Sequence, residues 1–160
     1  MNRHYDFMKT SRDFTATIAI AALLITVTGA HGGEKVSGPA TVISGDVLVV
    51  QGNKYKLFGI RAPDLAQTCE WPAKTIPCGD ISRTALMDLV VASQVDCVPL
   101  DNTVSPMLAR CYVDGFDVGR NMIHTGWAVA APDGSADYRA IEDTAKIAKR
   151  GLWKGNFERP

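Results

Sequence analysis

Between residues 40 and 64 the chain packs three apolar runs into twenty-five residues, with two or three turn-forming residues between successive runs. Thr41-Val-Ile is followed by Ser44-Gly-Asp46, Val47-Leu-Val-Val50 by Gln51-Gly-Asn53, and the return run from Lys54 to Ile60 stops at Ala62-Pro63. Connections this short allow only antiparallel neighbours, because a parallel partner would need a crossover of a dozen residues or more. The ring of Pro63 removes a ladder donor and restricts Ala62, so the third strand must end there. Such a meander brings Asp46, in its first turn, and Asp64, beyond its last strand, to one rim. A divalent ion and a phosphate can meet at carboxylates placed that way. Arg61 stands among them as a cation where such a site wants an anion.

Helical spacing follows in Ile81, Ala85, Leu86, Leu89 and Val90, with Gly79-Asp80 as a start signal. Gln94–Leu100 and Met107–Val113 read as two further strands, the second turning at Asp114-Gly115. Asp117 is placed to cap a short helix ending at Gly126, and Ser135 or Asp137 a longer one whose face carries Tyr138, Ile141, Ala145 and Ala148; Gly151 then stops it. Five strands with one helix between the third and fourth and two at the end predict a mainly β, α+β domain: a five-stranded Greek-key barrel with three helices. Trp127 and Trp153 are expected as core anchors, and Trp71 as an exposed loop residue.

Residues 14–30 carry no charge, follow Arg3, Lys9 and Arg12, and end in small residues at Thr28 and Ala30. We read residues 1–30 as a signal peptide; the competing reading is an uncleaved anchor, since about 17 apolar residues is the lower limit for spanning a bilayer. Residues 31–38 are expected to be a flexible leader and 39–157 the folded domain. Removing residues 1–30 takes three of the 17 basic and two of the 17 acidic side chains, leaving 14 against 15 and a net charge of −1. A nonspecific nucleic-acid binder is usually basic, so this balance argues against one. Lys146, Lys149 and Arg150 still form a local basic cluster. Cys69, Cys78, Cys97 and Cys111 all lie beyond the signal, where an even count in an oxidising compartment points to disulfides. Short-range geometry favours Cys69–Cys78 and Cys97–Cys111 over the two other connectivities; zinc is the competitor, but no Cys-x-x-Cys spacing exists. The expected product is a secreted or periplasmic monomer with no stable membrane insertion once the signal is removed.

Four separated segments, Thr41–Asp46, Leu57–Asp64, Asp117-Val-Gly-Arg-Asn-Met-Ile-His-Thr-Gly-Trp127 and Ala148-Lys-Arg-Gly-Leu-Trp153, together resemble the staphylococcal nuclease (thermonuclease) family, in order and over residues 38–157. The paired cysteines are similar to those of the exported branch of that family in rhizobia and their relatives. The resemblance implies an OB-fold barrel with three helices and calcium-dependent hydrolysis of DNA and RNA phosphodiesters. It adds exopolysaccharide (succinoglycan) biosynthesis as a context, through a nuclease-like rhizobial member.

Carried over residue by residue, the family site is degenerate. Asp46 matches the first metal-ligating aspartate. Ser44 stands where an acidic residue usually precedes Gly45, and Arg61 occupies the position of the second metal-ligating aspartate. Asp64 replaces the glutamate that activates water, one methylene shorter. Lys56 replaces one phosphate-binding arginine, exchanging a planar fork for a point charge; Pro106 replaces the other and donates nothing. Arg110 is the one nearby guanidinium that could substitute. Losing a single such donor costs roughly 10²–10³ in rate. The expectation is therefore a nuclease-like domain with an impaired metal site and no cofactor, non-catalytic or weakly active, in which Arg61, Lys56 and Arg110 bind an anionic ligand such as a phosphate ester or acidic glycan. The alternative is a calcium-dependent nuclease acting on nucleic acid through Asp46, Asp64 and Lys56. His124, at a helix end, is expected to be structural.

Overall fold

The computed structural model describes residues 33–101 and 103–160; the signal peptide expected at 1–30 lies outside the described residues. In chain order the elements are β1 (Val36–Gly38), β2 (Ala40–Ser44), β3 (Val47–Val50), β4 (Asn53–Leu57), β5 (Ile60–Arg61), β6 (Cys69–Trp71), β7 (Lys74–Ile76) and α1 (Cys78–Val90). They continue with β8 (Val95–Asp101), β9 (Met107–Val113), β10 (Phe116–Asp117), α2 (Val118–His124), β11 (Val129–Ala130), α3 (Ala136–Ile147) and a 3-10 turn at Gly151–Lys154.

The expected meander is present as β2–β3–β4, and the turn between β3 and β4 is two residues long. Gln51 and Gly52 both take positive φ, 52° and 78°, the geometry that matches the twist of a tight hairpin. β4 then pairs in parallel with β9, β9 antiparallel with β8, and β8 with β1. The sheet order is β1-β8-β9-β4-β3-β2, so its two ends are consecutive in sequence with Pro39 alone between them. One residue spans only a few ångströms, which brings the two edges together and curls the sheet into the expected OB-type barrel with three helices; its path has six strands, five when β1 and β2, divided only by Pro39, are counted as one. Val36–Gly38, part of the leader expected to be flexible, is thus a closing strand; a three-residue strand is too short to show a period.

Alternation along the strands fills the barrel with Leu48, Val50, Tyr55, Leu57, Val95 and Ala109. α1 closes one end with Leu86 and Val90, both in the expected stripe, with Ala85 and Leu89 packed beside them and Ser82 joining the buried face. α2 adds Val118, Met122 and Ile123. Its Asp117 cap is as expected, the carboxylate accepting from Arg120 N at 3.0 Å. Ser135, rather than Asp137, caps α3.

Both expected disulfides are formed. Cys97 and Cys111 are directly opposite in the β8–β9 register with Cα atoms 4.1 Å apart, and Cys69 and Cys78 are 5.7 Å apart, tying β6 to the start of α1. The latter bond lies in a second apolar cluster with Ile76, Val129 and Leu152. Trp71 belongs to that cluster instead of lying exposed; it stacks on Trp127 with ring centroids 6.3 Å apart. Among the described residues no helix is long and apolar enough to cross a membrane.

Candidate functional site

The strand expected to run unbroken from Lys54 to Ile60 is two strands. Gly59, at φ 74°, turns the chain after Leu57, and Ile60–Arg61 leaves the barrel sheet to pair with Val129–Ala130. Arg61 therefore faces Val129 in register while Lys56, still on β4, lies opposite Val47 at the Gly45–Asp46 corner. The two cations approach the same opening from different sheets.

Gly45 has a steric reason to be glycine. A β-carbon there would lie 1.9 Å from Ser82 Oγ and 2.7 Å from the Ala62 β-carbon. α1 thus packs directly on the turn, with Ser82 held by its hydroxyl donating to the Trp127 carbonyl at 2.7 Å. Asp64 is fixed through its backbone: its carbonyl accepts from Gln67 N at 2.8 Å and sits against Gly79 of α1, where a β-carbon would meet it at 1.8 Å.

These constraints form an open cleft of about 670 Å³. Ser44, Asp46, Lys56, Arg61 and Asp64 line it as the polar wall, and Pro63, Leu65 and Pro160 contribute an apolar rim. Four of the five residues expected to form the site, Asp46, Lys56, Arg61 and Asp64, are brought together.

Asp46 is buried, 6% exposed, and its carboxylate is already engaged. Oδ1 accepts from the Ser44 hydroxyl at 2.9 Å, and Oδ2 accepts from Ala62 N–H at 3.4 Å and pairs with Lys56 Nζ at 3.1 Å. The residue that interrupts the family pattern, Ser44, is here a donor to the carboxylate it adjoins. Arg61 pairs with neither Asp46 nor Asp64. Lys56 takes Asp46 instead, because the Val47–Lys56 register aims it at the corner, and Arg61 is exposed with no carboxylate within 4.0 Å among the described residues. The Asp64 side chain, also exposed, makes no hydrogen bond or ion pair among them.

Arg110 does not join the cleft. Its guanidinium lies 4.5 Å over the Phe58 ring and 3.8 Å from Asp117 Oδ2, in a separate cluster. There the Tyr138 hydroxyl donates to Asp117 at 2.6 Å, and burial, followed by that carboxylate, pushes the phenol well above its ordinary range. Pro106, at the start of β9, likewise supplies no donor.

A calcium ion asks for six to eight oxygen ligands, several of them anionic. One carboxylate here is committed to a lysine, the next is exposed and one methylene short, and a guanidinium stands between them in sequence. No group of three or more His, Cys, Asp or Glu side chains among the described residues is placed to hold a metal ion. This donor set does not fit calcium. What remains is an accessible guanidinium, Arg61, at an opening whose buried carboxylate, Asp46, is already paired with Lys56.

Two further residues contribute to the site, of which Pro160 carried no sequence signal. Ala62 acts through its backbone N–H, and Pro160 reaches the rim because Asn156 pairs with Glu70 and Gln67 Nε2 donates to the Glu158 carbonyl at 2.7 Å.

Compared with known proteins, residues 54–155 match the family model of the staphylococcal nuclease homologue. The chain is also similar to the succinoglycan biosynthesis protein ExoI of Rhizobium meliloti (strain 1021), at 30% identity over 150 residues covering 90% of this chain and 78% of that protein.

Proposed function

We propose a function from one premise: this chain belongs to the staphylococcal nuclease homologue family. It is an exported nuclease-fold protein that binds an anionic group in the cleft without a metal and does not hydrolyse phosphodiesters efficiently. The reading rests on the engagement of Asp46 by Lys56 at 3.1 Å beside an exposed Arg61. Family hydrolysis needs a cation to offset charge growing on the phosphoryl oxygens and an activated water. Here the side chains supply the positive charge themselves, and the side chain of Asp64, exposed and shortened, has no partner among the described residues to orient it. A carboxylate or phosphate entering the cleft meets the Arg61 fork, which suits bidentate recognition.

Two disulfides support an oxidising compartment, in keeping with the apolar segment at residues 14–30 acting as an export signal. ExoI is named for succinoglycan biosynthesis, and an auxiliary part in extracellular polysaccharide production is the setting we assign to this chain. A succinylated glycan carries carboxylates, the chemistry that Arg61 recognises.

Calorimetric titration of the disulfide-intact protein tests the reading, with calcium, inorganic phosphate and succinate as separate ligands. Single-stranded DNA is digested in parallel with and without calcium. We expect no calcium-dependent cleavage, and anion binding that Arg61→Ala abolishes. Calcium-dependent cleavage lost in Asp46→Ala would establish the nuclease reading instead.

A further inference from the structure

Beyond α3 the chain turns sharply. Lys149 takes a left-handed conformation, φ 49°, and the following backbone lies directly on Gly126, where a β-carbon would meet the Arg150 carbonyl at 2.3 Å. Leu152 N donates to the Gly126 carbonyl at 2.9 Å, and Arg150 Nη1 donates to the His124 carbonyl at 3.1 Å. This anchored turn forms one wall of an open groove of about 500 Å³ lined by His124, Trp127, Lys149, Arg150 and Lys154.

The three cations of this groove have no carboxylate within 4.0 Å among the described residues, whereas Lys146, the neighbour expected to join them, is paired with Glu142 and Asp143. Their simplest structural use is to offset the ends of α2 and α3, which both finish here. Each helix end carries only about half a negative charge. Two such ends offset about one of three cations, which leaves an excess of about two positive charges on a protein whose domain is otherwise close to neutral.

We propose that this groove is a second binding site, separate from the cleft, for a carboxylate-bearing polysaccharide. Its size suits one or two charged rings rather than a long backbone track. The aromatic neighbours point the same way. Trp127 is stacked against Trp71, and Lys154 and Lys74 lie 4.7 and 5.9 Å from the Trp71 ring. Among the described residues the groove is lined by one tryptophan, with Trp71 stacked on it, and by His124, whose ring lies against Arg150, so it offers no run of ring faces on which successive bases of a single strand stack. What it offers is clustered cations, which recognise carboxylates by charge-assisted hydrogen bonds.

Tryptophan fluorescence of the intact protein, titrated with a polygalacturonate oligomer, tests the assignment, because Trp127 lines the groove. Neutral dextran and an oligothymidylate serve as comparison ligands. We expect the polygalacturonate to change the emission, to bind more tightly than either comparison ligand, and to weaken about tenfold in the double variant Lys149→Glu/Lys154→Glu, while Arg61→Ala, which removes binding in the cleft, leaves the emission change reported from the groove by Trp127 in place. Both lysines are exposed, so the variant should keep the native melting temperature; Lys149→Gln/Lys154→Gln serves if it does not. No binding, preference for the oligothymidylate, or binding lost in Arg61→Ala but kept in the lysine variants would overturn the groove assignment. The last result would place the carboxylate in the cleft and leave the cleft reading standing.

Discussion

Replacing Arg61 by aspartate perturbs the cleft most directly. Asp46 and Asp64 are offset by Lys56 and Arg61, so the formal charge of the native wall is zero, and that of the variant is −2. For a divalent ion about 5 Å away, a change of two unit charges gives four unit-charge interactions of about 0.8 kcal/mol each in a water-like dielectric, about 3 kcal/mol together. Water is the right reference because residue 61 is exposed. An entering ion must also displace Lys56 from Asp46, a pair worth about 1 kcal/mol with the lysine side chain 43% exposed, but that cost falls on both proteins and cancels in the comparison. The difference, about 3 kcal/mol, is about a 150-fold gain in calcium affinity. Calorimetry and the calcium-induced shift in melting temperature measure it on the disulfide-intact protein. We expect no saturable calcium binding in the native chain and measurable binding in Arg61→Asp, strengthened further by Lys56→Met. Native protein that binds calcium as tightly as Arg61→Asp would falsify the claim that this guanidinium excludes the ion.

The remaining predictions concern the frame around the cleft. Removing the cross-strand bond with Cys97→Ala/Cys111→Ala, which opens a loop with sequence separation 14, should cost about 3 kcal/mol, read as a lowered urea midpoint. Gly45→Ala puts a β-carbon onto Ser82 and should destabilise by about 1–3 kcal/mol; a second change, Ser82→Gly, should recover part of that loss, and an unaltered melting temperature in Gly45→Ala would contradict the packing. Tyr138→Phe removes a buried bond to Asp117 and should cost about 1–2 kcal/mol. Because the folded phenol ionises above its ordinary value of 10, its contribution is complete below that pH and falls as pH rises past it, when the unfolded chain loses the proton first. The alkaline decline of the urea midpoint should therefore be shallower in Tyr138→Phe than in the native protein.

Much of the fold was legible because it is written in neighbouring residues. The β2–β3–β4 meander, the Asp117 and Ser135 caps and both disulfides follow from turn chemistry, cap chemistry and short loops. The short strands were not legible. β1, β5, β6, β7 and β11 have two or three residues each, fewer than an alternating pattern needs to declare itself. The end of α3 misled for a related reason: Gly151 was the expected stop, but Lys149 takes the left-handed position two residues earlier.

The candidate site divides along the same line. Sequence alone determined which charges exist near the Gly45–Asp46 corner, since an aspartate, a lysine, an arginine and a second aspartate are fixed by composition and by the strand ends that carry them. Tertiary structure alone decided which of them meet. The Val47–Lys56 register gave Asp46 to the lysine, the turn at Gly59 moved Arg61 onto a different sheet, and the position of β9 kept Arg110 with Asp117. Local rules reach only a few residues along the chain. An ion pair is set by distances of a few ångströms between segments whose relative placement depends on the packing of the whole barrel.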